Sequence, residues 1–169
     1  MTSETFSAAE QLSGLADIDP DVGFFEESDS IYYSDVSFNQ LLCNDPSLGR
    51  QFSAIFLNIR SAVKNLEPFH DYLLTLATEF TIIALAETWL TSDSEHLCNL
   101  PGYKYHGNFR KNRVGGGVGF LVRSMVAFKA REDLDLFNDH IETTFIEIPY
   151  SCIDLNTRTR ALVGVIYRP

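Results

Sequence analysis

Glu87 is the residue in this chain most suited to chemistry. It follows Ile82-Ile83-Ala84-Leu85-Ala86, an apolar run in which an ionised carboxylate needs a cation or hydrogen-bond donors to offset its desolvation. Mg²⁺ suits such a group, because it takes one or two carboxylates and keeps waters for a phosphate. Twenty-nine positions earlier, Asn58 closes another apolar run, Phe52 to Ile59. Its amide has two donors and an acceptor, enough to orient a phosphate oxygen or a carboxylate. Both polar residues stand at the C-terminal ends of expected strands, where open α/β sheets place their ligands. A third run, Ala161 to Tyr167, ends in Tyr167-Arg168-Pro169. Arg110-Lys111-Asn112-Arg113 concentrates three cations before Gly115-Gly116-Gly117, with Tyr103, Tyr105 and Phe109 nearby. That mixture suits gripping a phosphate backbone or stacking on a base. On residue type alone each feature also has a plainer reading: a salt-bridged glutamate, an asparagine satisfied by loop backbone, a solvated turn. The glycines form no phosphate-cradling P-loop, since no Gly-Lys-Ser/Thr follows them. His70, His96, His106 and His140 share no ligand spacing.

The elements that must position these residues can be read from periodicity. Phe52–Ile59 reads as a strand buried on both faces. Pro68 suits the first turn of a helix over roughly 67–79, in which His70, Leu73, Leu74 and Ala77 keep helical spacing. Thr81–Trp89 reads as a second buried strand, completing a βαβ unit. Short strands are then expected at Tyr103–Phe109, Gly117–Arg123, Met125–Arg131, Thr143–Tyr150 and Arg160–Tyr167. In the fourth of these, Phe145 and Glu147 against Ile146 and Ile148 give an uncertain facing. A parallel start followed by a meander predicts a mixed sheet covered by a helix on one face.

Composition sets further bounds. Of the net charge of −10, residues 1–50 carry −9, with Arg50 their one base. The remaining 119 residues are nearly neutral, so the overall acidity does not exclude a nucleic-acid partner. Residues 1–50 show no sustained period and read as an acidic, disordered leader. The alternative is a docking peptide built on Phe24, Phe25, Ile31, Tyr32, Tyr33, Phe38, Leu41 and Leu42. Cys43, Cys98 and Cys152 are scattered, which argues against structural zinc and suits a reduced, intracellular setting. No apolar run reaches the length of a membrane span, and Met1–Glu10 has no secretory-signal pattern.

Taken in order, five blocks resemble one family. They are Asn58-Ile59-Arg60-Ser61; Ala84-Leu85-Ala86-Glu87-Thr88-Trp89-Leu90; Gly102-Tyr103; Arg110 with Arg113-Val114-Gly115-Gly116-Gly117-Val118; and Val165-Ile166-Tyr167-Arg168-Pro169. Together they resemble the endonuclease domain of non-LTR (LINE-type) retrotransposons, in the exonuclease–endonuclease–phosphatase superfamily. The likeness covers residues 52–169 and leaves 1–50 outside. It implies an α/β (α+β) fold, part of a four-layer α/β/β/α sandwich of the deoxyribonuclease I type. It also implies Mg²⁺-dependent nicking of DNA, with no small-molecule cofactor and a nuclear location. By the resemblance Glu87 is the metal ligand, Asn58 positions the carboxylate and the scissile phosphate, and Tyr167 contacts the phosphate. Arg110, Lys111 and Arg113 are candidates for holding DNA.

Two blocks of that family are absent from these 169 residues: a Gly-Asp-Phe-Asn-like block and a Ser-Asp-His-like block. Asn138-Asp139-His140 precedes the Tyr167 strand and does not replace them. Catalytic groups that act as a unit are strongly non-additive, so the resemblance implies a fragment with activity near background. It further implies an inner sheet face without its partner, hence marginal stability or self-association through that face. Two alternatives are another nuclease or phosphatase of the superfamily and a non-catalytic binding module.

Overall fold

The computed structural model describes residues 31–48, 52–110, 115–149 and 160–168. Residues 1–30, 49 and 50 of the leader expected over 1–50, and Lys111 and Arg113, lie outside the described residues. In chain order the elements are α1 (Asp35–Asn44), β1 (Ala54–Asn58), α2 (Ala62–Leu74), β2 (Ile82–Ala86), β3 (Tyr103–Asn108), β4 (Val118–Arg123), β5 (Lys129–Ala130), β6 (Glu142–Pro149) and β7 (Arg160–Tyr167). Short 3₁₀ turns occupy Glu95–Leu97 and Glu132–Leu134.

The strands form two sheets. One has the order β1-β2-β4-β3, with β1 and β2 parallel and the other pairs antiparallel. The other is antiparallel, in the order β5-β6-β7. A single mixed sheet was the sequence expectation, because periodicity reports facing and not partner choice. The strand pleat sorts the core into two layers. Ile83, Leu85 and Leu121 point to α2, where Leu66, Phe69 and Leu73 meet them. Ile82, Ala86, Val118, Phe120 and Val122 point the other way, onto Ile146, Ile148 and Val165 of the second sheet. The phase of β6 is thereby settled: Ile146 and Ile148 are buried, while Phe145 and Glu147 are partly exposed. The molecule is thus mixed α/β, with a helix, a sheet and a second sheet in layers.

Several expectations need correction. The inner face of β2 and β4 does not lack a partner, because the β6–β7 pair covers it. On that side Phe56 of β1 stays exposed, while Leu162 and Ile166 are exposed on the outer face of β7. β1 is not buried on both faces. It is an edge strand paired only with β2, and Ile55 and Leu57 pack on the helix side while Phe56 stays exposed. The helix runs over Ala62–Leu74, not 67–79, so Pro68 sits in its interior. Proline lacks the N–H that would reach the Lys64 carbonyl, a loss eased on this side because both residues are exposed to water. The strand expected over Met125–Arg131 shortens to Lys129–Ala130.

Residues 35–44 also depart from the leader reading. Ser34 caps α1 by accepting from Ser37 N at 3.2 Å, and Phe38 packs on the α2 layer. Asn39 bonds both ways to the segment after α2: its Nδ2 donates to Thr75 O at 2.8 Å, and its Oδ1 accepts from Ala77 N at 2.7 Å. Tyr72 adds a bond to Asp35 at 3.0 Å. The helix is therefore a docked peptide whose partner is the chain itself. Asn39→Ala should cost about 1–2 kcal/mol, read as faster hydrogen exchange in α1. Unchanged protection would mean that Phe38 and Leu42 hold the helix alone. Among the described residues no helix is long and apolar enough to cross a membrane.

Candidate functional site

The ends of β1, β2 and β7 meet at one carboxylate oxygen. Asn58 Nδ2 donates to Glu87 Oε1 at 2.9 Å, and Tyr167 OH donates to the same oxygen at 2.8 Å. The three residues come from positions 29 and 80 apart, on both sheets. Glu87 and Tyr167 are half-buried, and Asn58 is exposed. The structure thus brings together the three residues singled out from their strand ends.

The backbone around Glu87 is unusual. Arg60, Ser61, Glu87 and Trp89 all have positive φ, between 44° and 88°. Each non-glycine residue in this region costs on the order of 1–3 kcal/mol, and such residues persist only where their surroundings over-determine them. Here the surroundings do so. Ser61 N donates to Glu87 O and Ala62 N to Thr88 O, both at 2.8 Å. On the other side Thr88 N donates to Gly117 O at 3.2 Å and Trp89 N to Gly116 O at 2.9 Å. The Glu87 segment is therefore laced between the start of α2 and the glycine run. That run can pass close because it has no side chains. A Cβ on Gly117 would lie 2.5 Å from Thr88 Oγ1, and all three glycines have positive φ.

The bonds set the electrostatics. Hydrogen bonds from Asn58 and then Tyr167 hold the Glu87 carboxyl below its ordinary value. The bond to Glu87, then burial, pushes the Tyr167 phenol up. Glu87 therefore stabilises the fold fully above the unfolded carboxylate value of about 4.3, and that contribution is lost as pH falls through the lower folded value. Tyr167 acts at the other end. Its contribution is complete below about 10 and is lost as pH rises through its folded value. Tyr167→Phe should move the Glu87 titration upward, measured by carbon NMR of the carboxyl. An unmoved titration would show that the phenol does not bond Glu87 in solution.

Arg110 does not stand where the sequence places it. It was expected to reach for phosphate. Instead it turns inward, and its Nε pairs with Glu142 Oε1, the glutamate being fully buried. The other carboxylate oxygen, Oε2, accepts from Gly117 N at 2.6 Å. Glu142 is thus a site-adjacent residue that the sequence reading passed over. Its signal was phase: Glu142, Thr144, Ile146 and Ile148 share one parity, so a glutamate was due on an inward face. Asn138 Oδ1 closes its own turn by accepting from His140 N and Ile141 N. Cys98 is buried, and burial pushes its thiol up to about 12, which disfavours the reactive thiolate.

Among the described residues no three His, Cys, Asp or Glu side chains converge as a metal site. Glu87 offers one ionised carboxylate held by neutral donors. That donor set fits a loosely held hard cation which keeps most of its waters, and does not fit zinc. No protein-family model matches the chain, and no curated protein does.

Proposed function

We propose that this site binds a divalent cation, Mg²⁺ by its chemistry, against a DNA phosphate, as part of a phosphodiester-cleaving endonuclease of the retrotransposon type. The supporting observation is the convergence of Asn58 and Tyr167 on one oxygen of Glu87, on strained backbone held from both sides. Two neutral donors fix the carboxylate's orientation and keep it anionic through neutral pH. The amide and phenol also have capacity left for a phosphate oxygen. A bound Mg²⁺ would stabilise charge developing on the phosphate. The two layered sheets with a helix on one side agree with part of the α/β/β/α sandwich that this reading entails.

The family's later Asp/Asn and Asp-His blocks are not in these 169 residues, so nicking by this chain should stay close to background. In a supercoiled-plasmid assay, any Mg²⁺-dependent nicking should disappear in Glu87→Ala and in excess chelator. Equal Mg²⁺-dependent nicking above background by both proteins would remove Glu87 from the metal site. Cleavage at the rate of a complete nuclease would overturn the view that the missing blocks matter.

A further inference from the structure

Glu87 and Tyr167 meet across a boundary. Glu87 follows β2 of the first sheet, and Tyr167 ends β7 of the second. A hydrogen bond of 2.8 Å survives only a few tenths of an ångström of slip between the sheets. The apolar layer between them is non-directional and does not by itself set that register. Directional bonds that cross between the sheets at this end include a group on the first residues of β6, beside a link in which Asp135 takes Asn108 Nδ2 at 2.7 Å and Phe145 N at 3.0 Å. Glu142 takes Arg110 and Gly117 N, and Thr143 O takes Asn108 Nδ2 at 3.2 Å.

The connections run on to both site residues. Glu142 lies directly opposite Tyr167 in the β6–β7 register. Gly117 and Gly116, on the other side, hold Thr88 N and Trp89 N, the two residues after Glu87. Room is exact around the pair: a Cβ on Gly116 would come within 2.5 Å of Glu142 Oε1. A buried ion pair is weak support for stability, since apolar replacements of similar volume are often no worse. Its contribution here is better sought in geometry.

We propose that Arg110 and Glu142 are positioning residues: their buried pair locks the two sheets at the register in which Tyr167 reaches Glu87. They act through the glycine run and the β6–β7 pairing. The proposal rests on reading Glu87 and Tyr167 as the site, and its test uses no nuclease readout, so a failed nicking assay leaves it intact.

The test is a double-mutant cycle, Glu87→Gln with Tyr167→Phe, followed by urea unfolding. It is run in the parent and in the apolar double variant Arg110→Met/Glu142→Met. In the parent the two residues should couple by about tenfold in the unfolding equilibrium constant. In the apolar background the coupling should fall below about threefold while unfolding stays cooperative. The single tryptophan, Trp89, gives a second signature, because its indole NMR resonance should shift in that background. Coupling kept at its parent value would overturn the proposal and leave the pair a packing element. Should the double variant not unfold cooperatively, Arg110→Lys takes its place. Lysine keeps the charge but not the planar fork. Coupling reduced at least threefold supports the proposal, and unchanged coupling overturns it.

Discussion

Glu142→Ala should unfold about 10 °C below the parent protein, at a cost of about 3–5 kcal/mol. The size follows from what is left behind. Glu142 is fully buried, and the Arg110 side chain is only 13% exposed. Deleting the carboxylate strands a guanidinium with little water and frees the Gly117 N–H as well. Breaking a buried pair by removing one partner is far costlier than replacing both with apolar groups of similar volume. Arg110→Met/Glu142→Met should therefore recover most of the loss, a strongly non-additive outcome. Glu132→Ala, at an exposed glutamate, serves as the control and should stay within about 0.5 kcal/mol. A loss under about 1 kcal/mol for Glu142→Ala would mean that water reaches the pair and that it organises nothing.

Phe120→Ala is expected to cost about 3–5 kcal/mol, seen as a lower urea midpoint with an unchanged slope. Among the described residues Phe120 is the largest fully buried side chain, and it stands in β4 between the sheets, among Val118, Val122, Ile146 and Ile148. Its removal leaves a cavity in a layer that rigid strands close only in part. Leu162, on the outer side of β7 and 51% exposed, supplies the contrast: Leu162→Ala should cost well under half as much. The comparison also tests the layering. Similar losses at both positions would mean that the β6–β7 pair does not pack over the first sheet. With net stabilities of about 5–15 kcal/mol, either large loss would leave a marginal protein.

Asn58 and Glu87 were legible because each interrupts an apolar run, and a polar group there demands a reason. Tyr167 was legible as the end of a third run, and as a site residue only through the resemblance. β2 and β7 were legible from the same runs, and the parallel β1–β2 pair from the helix between them. What was hidden depends on partners far away in sequence. The helix over 35–44 has little apolar face of its own, and it is ordered by Asn39 on Thr75 and Ala77 and by Phe38 on the core. Pro68 drew the helix start several residues too late. The bonds from Ser61 and Ala62 to the Glu87–Thr88 backbone set the earlier start. Arg110 looked like a surface cation because its inward turn depends on Glu142, thirty-two positions on. The covering of the first sheet by β6 and β7 was hidden for a similar reason: alternation shows that a strand has an inner face, not what that face meets.

The most direct measurement of the central claim uses Mn²⁺ as a paramagnetic stand-in for Mg²⁺. Added to the protein with a short DNA duplex, it should selectively broaden the NMR signals of Asn58, Glu87 and Tyr167. Excess Mg²⁺ should reverse the effect, and Glu87→Gln should abolish it while leaving the spectrum otherwise folded. Broadening that is unchanged in Glu87→Gln, or that centres on residues away from the ends of β1, β2 and β7, would contradict the account.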